Sequence, residues 1–175
     1  MERILVALDG SEHSDKALDL ASDIAGKYGT ELVLLHVLSN KPLTDAERYM
    51  AENEYLDDLV SSLDVPGIAG GGDPRLRAQR VLQHYSDLAR QFREAMGNRL
   101  MTRARKHARE KRVRTVQTLL EDGDPANTIL RVAKGLGVDM IFLGSRGLGD
   151  IKGLLMGSVS HKVTQLAECT CVSVK

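Results

Sequence analysis

Apolar residues gather in four short runs: "RILVALD" (Arg3 to Asp9), "ELVLLHVL" (Glu31 to Leu38), "RTVQTLLED" (Arg114 to Asp122) and "VDMIFLG" (Val138 to Gly144). The first, second and fourth are almost continuously apolar, the pattern of strands covered on both faces. Between the first two runs, Ala17, Leu20, Ala21, Ile24 and Ala25 recur at helical spacing, with Ser11 or Ser14 as cap and Gly29 as stop. Strand, helix and strand in that order predict a parallel pair joined by a right-handed crossover. Pro125 opens a second helix through Ala126, Ile129, Leu130 and Ala133, which Gly135 and Gly137 end. A last helix from about Ser158 to Glu168 turns Val159, Val163, Leu166 and Ala167 inward, and "CVSVK" forms a short fifth strand. The alternation predicts an open parallel α/β sheet.

Residues 40 to 112 break the alternation. Their first part is acidic, with Asp45, Glu47, Glu52, Glu54, Asp57, Asp58 and Asp64 against Arg48. "PGIAGGGDP" then reads as a flexible break. A helix follows with Leu82, Tyr85, Leu88, Phe92, Met96 and Leu100 on one stripe. It runs into a basic cluster of Arg99, Arg103, Arg105, Lys106, Arg109, Lys111, Arg112 and Arg114. The cluster has no interleaved aromatics and an acidic segment is available to offset it, so it reads as a solvated helix face rather than a nucleic-acid surface.

Composition narrows the picture only modestly. A chain of 175 residues suits a single domain, here 1–175 with the long helical excursion at about 40–112. The 24 basic and 24 acidic residues cancel, which is compatible with self-association. No run approaches the roughly 20 apolar residues of a membrane span, and "MERILVALDGSEHS" lacks the pattern of a signal peptide. Cys169 and Cys171 read as buried, reduced thiols, the usual state of free cysteines in a reducing compartment. The expected location is the cytoplasm, with no membrane insertion.

Candidate chemistry centres on "GSRGLGDIKGLLMGSVS", residues 144 to 160. It contains no G-x-x-x-x-G-K-[ST] phosphate loop. A G-x-G-x-x-G reading fails because Lys152 stands at its third glycine, and the loop follows the fourth strand, not the first. The loop nevertheless leaves the C-terminal end of a buried strand and enters a helix N-terminus, where an open α/β sheet binds ligands and anions. Gly144 and Gly147 allow close approach of backbone amides, Gly157 and Ser158 begin the helix, and Arg146 adds a charge. A tight turn with an N-capping serine is the simpler explanation of Gly157 and Ser158. Asp9, at the end of the first strand, can bond sugar hydroxyls or Mg2+, or instead form an Asx turn with Gly10 and Ser11. Ala7 shares its face, and His36 nearby reads as a structural histidine.

Gly144-x2-Gly147-x9-Gly157-Ser158, set between "DMIFLG" and "VSHKVTQLAEC", resembles the nucleotide-binding signature of the universal stress protein family. "RILVALDGSEHS", "LLHV" and "EDGDPANTIL" resemble further segments of the same family, in order. The resemblance implies a Rossmann-like (adenine nucleotide alpha hydrolase-like) fold, with five parallel strands in the order 3-2-1-4-5 and helices on both faces. It also implies an ATP site, ATP being held with Mg2+. Asp9 would meet the ribose or a phosphate-bound metal, Ala7 the sugar or the base, and Val37 would read the adenine edge through its backbone. Gly144, Arg146, Gly147, Gly157, Ser158 and Val159 would contact phosphates, with Ser145 and Ser160 as neighbours. Family members commonly dimerise through the last strand. Here Thr170 replaces the proline that usually precedes that strand, and the excursion is longer than in a minimal family domain. The expected function is an ATP-binding regulatory module of the stress response with little or no catalysis and a possible protein partner. A slow ATPase or phosphotransferase and a nucleotide-independent scaffold are the alternatives.

Overall fold

Strand order decides where a ligand edge forms, and in this computed structural model it is β3-β2-β1-β4-β5, with every neighbouring pair parallel. The structure describes residues 1–38, 74–148 and 156–175. In chain order the elements are β1 (Arg3–Leu8), α1 (Glu12–Tyr28), β2 (Glu31–Leu38), α2 (Pro74–Glu110), β3 (Val116–Asp122), α3 (Pro125–Leu136), β4 (Met140–Gly144), α4 (Ser158–Leu166) and β5 (Thr170–Val174). The acidic stretch Asp45 to Asp64, the "PGIAGGGDP" break, and Gly149 and Lys152 of the glycine loop lie outside the described residues, as do the side chains of Leu82, Tyr85 and Leu88. Two compact units are present: Met1–Asn40 with Gly97–Lys175, and Lys41–Met96. Within the second, Arg90 pairs with Glu94 at 2.9 Å along α2. The five-stranded sheet belongs to the first.

Alternation along β1 sorts its side chains between two cores. Ile4, Val6 and Leu8 face α1 and the C-terminal part of α2, among Ala17, Leu18, Ala21, Ala25, Met101, Ala104 and Ala108. Leu5 faces the other side, with Val33 and Leu35 of β2, Ile129 and Val132 of α3, Leu143 of β4 and Val163 of α4. Helices cover both faces of the sheet, which is why its central strands tolerate hardly a polar residue.

Caps fix the helix ends. Ser11 is the N-cap of α1, its hydroxyl accepting from Ser14 N, and Gly29 closes the helix in the left-handed conformation at φ 70°. Asp124 caps α3, Pro125 occupies its first turn, and Gly137 ends it at φ 60°. Gly135 therefore lies inside α3 rather than ending it. Two inward assignments are corrected. Leu20 is 42% exposed, because the buried face of α1 centres on Leu18, Ala21 and Ala25. Leu166 is 54% exposed, because α4 stops there and the chain turns extended at Ala167. Both cysteines are free and half-buried, and burial pushes their thiols upward from the ordinary range. At the start of β5, Thr170 donates its N–H to Asp139 O at 3.3 Å, a bond proline cannot make.

Part of the basic cluster is offset by α1. Arg103 pairs with Asp15 at 3.1 Å, His107 with Asp19 at 3.0 Å, and Lys111 with Asp19 at 2.8 Å and Asp23 at 2.9 Å. Both rows step by four residues, so two packed helices present matched charges once per turn. The Lys111 ammonium holds the Asp19 carboxyl below its usual range.

Asp139 joins the starts of β1 and β4, its Oδ2 accepting the N–H groups of Arg3 at 3.0 Å and Glu2 at 2.6 Å. Those two backbone donors hold its carboxyl below the ordinary carboxylate value. A lowered folded pKa adds stability that is present above the unfolded value of about 3.9 and is lost as pH falls through the folded one. Asp139→Asn is accordingly expected to melt lower than wild type at neutral pH, with the gap closing in acid. Thermal melts of the two proteins on both sides of the carboxylate range check this, and a gap that widens in acid contradicts it.

Candidate functional site

Ala7 is in register with Leu35 of β2 on one side and Leu143 of β4 on the other, and all three open into one cleft at the C-terminal edge of the sheet. The cleft has a volume of about 350 Å3, toward the small end of ordinary ligand sites. Its floor is apolar: Ala7, Leu35, Leu143, and Ile129 from α3. Val37 and Pro125 close one side. Asp9, Gly144, Arg146 and Gly147 form a polar rim, facing Gly157, Ser158, Val159 and Ser160 at the start of α4. The structure thus brings Ala7, Asp9, Val37, Gly144, Arg146, Gly147, Gly157, Ser158 and Val159 to a single cleft. Arg146 is the cationic side chain among the lining residues and Asp9 the anionic one.

Asp9 both turns the chain and borders the cleft. Its Oδ1 accepts from Ser11 N at 3.0 Å and Ser11 Oγ at 2.6 Å, an Asx turn that places Gly10 at φ 83°. A Cβ on Gly147 would clash with Oδ2 of Asp9, so glycine at 147 lets the carboxylate approach the loop backbone. The glycine at 144 also meets a packing need: an added Cβ would sit 2.8 Å from His13 Cβ and 2.8 Å from Ser14 N. Close passage of α1 accounts for that glycine without any ligand.

Gly157 is different. It is the N-cap of α4 in an ordinary extended conformation, φ −72° and ψ 158°, and no side chain caps the helix. A Cβ there would meet nothing closer than 3.5 Å. Ser158 is the first helical residue and is not the cap. The α4 N-terminus therefore faces the cleft with its positive dipole end free of a side-chain oxygen, an arrangement that suits an anion. Ser160 Oγ donates to Ser145 O at 2.8 Å and pins the first turn of α4 to the glycine loop.

Ser145 and His36 do not line the cleft. His36 Nδ1 lies 2.7 Å from Leu8 O, tying β2 to the end of β1, and the loop serine bonds to His13. Leu35, Ile129 and Leu143 belong to the floor although no motif marks them; Leu35 could have been found as the residue two before Val37 on the same strand face. Among the described residues, no group of three or more His, Cys, Asp or Glu side chains could hold a metal, and no helix is long and apolar enough to cross a membrane. The cleft has the features to hold a flat apolar group on its floor, a hydroxyl or cation at Asp9, and an anion at α4.

Comparisons with known proteins agree with this architecture. The model of the universal stress protein family matches residues 1–175. Universal stress protein YxiE of Bacillus subtilis is 34% identical over 173 residues, covering 99% of this chain and 98% of the relative. The universal stress protein UspA structure from Lactobacillus plantarum superposes with a TM-score of 0.70 at 20% identity, covering 99% of this chain and 97% of the other. A universal stress protein family protein from Arabidopsis thaliana, solved with AMP bound, superposes with a TM-score of 0.61 at 19% identity, covering 100% and 92%. The chain belongs to the universal stress protein family.

Proposed function

We propose that the cleft binds an adenine nucleotide, specifically ATP with Mg2+, and that the protein is a nucleotide-dependent module of the stress response with little or no catalysis. The observation that carries this reading is the start of α4, where Gly157 caps the helix without a side-chain partner and leaves room at the rim of an apolar-floored cleft. The family relative solved with AMP supports adenine, ribose and at least one phosphate as the shared ligand chemistry.

In this reading the base lies on the apolar floor and Val37 reads its edge through the backbone, while Ala7 contacts the sugar. Asp9 offers Oδ2 to a ribose hydroxyl or to phosphate-bound Mg2+, its Oδ1 being engaged by Ser11. One carboxylate suffices there, because Mg2+ is commonly held by one or two carboxylates together with substrate phosphates. Asp9 would hold such an ion together with the phosphates, and the ion would neutralise phosphate charge. Gly147, Gly157, Ser158 and Val159 present backbone to the phosphates, Arg146 supplies a cation, and Gly144 keeps α1 and the loop close. No lysine of a phosphate loop stands in the motif, and a site without one suits holding the nucleotide better than turning it over. Strand β5 is an edge of the sheet, and we assign to it the contact of a homodimer in the cytoplasm.

Denaturing the purified protein and identifying released small molecules by mass spectrometry tests the ligand. An adenine nucleotide is the expected result, and no uptake of added adenine nucleotide by the stripped protein would overturn the reading. Rapid, Asp9-dependent phosphate release from ATP would overturn the non-catalytic part alone.

A further inference from the structure

The glycine loop has a hydrogen-bonding hub that the cleft itself does not display. Ser145 is 2% exposed, and all its polar groups are engaged. Its N–H donates to Val174 O at 2.6 Å, and its carbonyl accepts Gly157 N–H at 2.7 Å and Ser160 Oγ at 2.8 Å. The remaining group, the hydroxyl, lies 2.9 Å from Nδ1 of His13 in the first turn of α1. Burial alone does not recruit such a partner in this chain: the hydroxyls of Ser22, Thr30 and Ser173 are buried with none.

We propose that His13 and Ser145 form a positioning latch for the anion end of the cleft, an inference that rests on the nucleotide reading above. The N-cap of α1 passes close to the next loop residue as well, Ser11 Oγ lying 3.3 Å from Arg146 O while its proton goes to Asp9. Glycine at 144 makes the latch possible, because a Cβ there would collide with His13 Cβ and push the imidazole off Ser145. The Ser145 carbonyl in turn sets the distance between the loop and the first turn of α4. Donors aimed at a phosphate must be held within a fraction of an ångström to bind it well, and the latch locks the residue on which that spacing depends. Ser145 does not line the cleft, so the pair orients the cradle and is not a nucleophile and base.

The test is calorimetric titration of AMP into wild type, His13→Ala, Ser145→Ala, the double variant and His13→Asn, with a melt of each. Ser145→Ala removes a single oxygen, and asparagine can place a polar atom near that of Nδ1, so these two variants are expected to stay folded. Each alanine variant is expected to bind about 3- to 10-fold more weakly, the worth of one hydrogen bond. The double variant should be no weaker than the worse single, and His13→Asn should return to within about twofold of wild type. Melting points that fall with affinity unchanged, or losses that simply add in the double variant, overturn the latch while leaving the nucleotide reading intact. A wild type that takes up no AMP overturns that reading, and the latch with it.

Discussion

Gly157→Val is expected to weaken nucleotide binding by about 100-fold or more, equivalent to about 2.8 kcal/mol, in a protein that remains folded. Nothing in the fold requires glycine at this position. Its φ of −72° and ψ of 158° are open to any residue, and a Cβ would stand 3.5 Å from Ser145 O and Ser160 Oγ and 3.6 Å from Arg146 Cα, all ordinary contacts. The fold loses a favourable N-cap, about 1 kcal/mol, or roughly 2–4 °C in melting temperature for a chain of this size. The side chain would instead occupy space at the α4 N-terminus, where the proposed phosphates meet backbone N–H groups. Titration of the variant with ATP, beside a thermal melt, measures both effects. Normal ATP binding by folded Gly157→Val would place the phosphates elsewhere.

The opposite outcome is expected at the first glycine of the same motif. Gly144→Ala forces a methyl group to within 2.8 Å of Ser14 N and His13 Cβ and 2.9 Å of His13 C. Backbone cannot swing aside as a flexible side chain can, so the start of α1 must shift. Overpacking of this kind costs about 1–3 kcal/mol, which lowers the melting temperature by roughly 2–12 °C. A variant as stable as wild type would show that α1 accommodates the methyl and that packing does not explain this glycine. In the first case the melt should barely move while binding collapses; in the second the melt carries the main effect. On this proposal one motif contains a glycine kept for the ligand and a glycine kept for a helix.

That division was not legible in the sequence, where Gly144, Gly147 and Gly157 look like one phosphate-binding unit. Spacing reveals that a loop is glycine-rich; which atoms crowd each Cα depends on α1 and Asp9, far away in the chain. The strands were legible because both faces of the sheet are covered, so each central strand had to be a continuous apolar run. Pro125 and Gly29 marked α3 and α1 for local reasons that need no tertiary knowledge. Leu20 and Leu166 misled because helical spacing alone cannot choose between the centre and the flank of an apolar face. The basic cluster looked balanced by the acidic excursion. Within the described residues, part of it is met by Asp15, Asp19 and Asp23, whose four-residue rhythm matters only once α1 and α2 pack together. The polar rim of the cleft was readable from motif residues, whereas its floor of Leu35, Ile129 and Leu143 looked like any core. His13 carried no signal at all, since its role depends on a partner 132 positions later.

Everything proposed for the cleft depends on one property: the edge formed by β1, β2, β4 and the start of α4 holds an adenine nucleotide. Calorimetric titration of nucleotide-stripped wild type with Mg-ATP, and separately with AMP and GTP, measures that property without an intermediary. Saturable binding of ATP and AMP at one site per chain is expected, with GTP bound far more weakly. No heat of binding from either adenine nucleotide at millimolar concentration would contradict it.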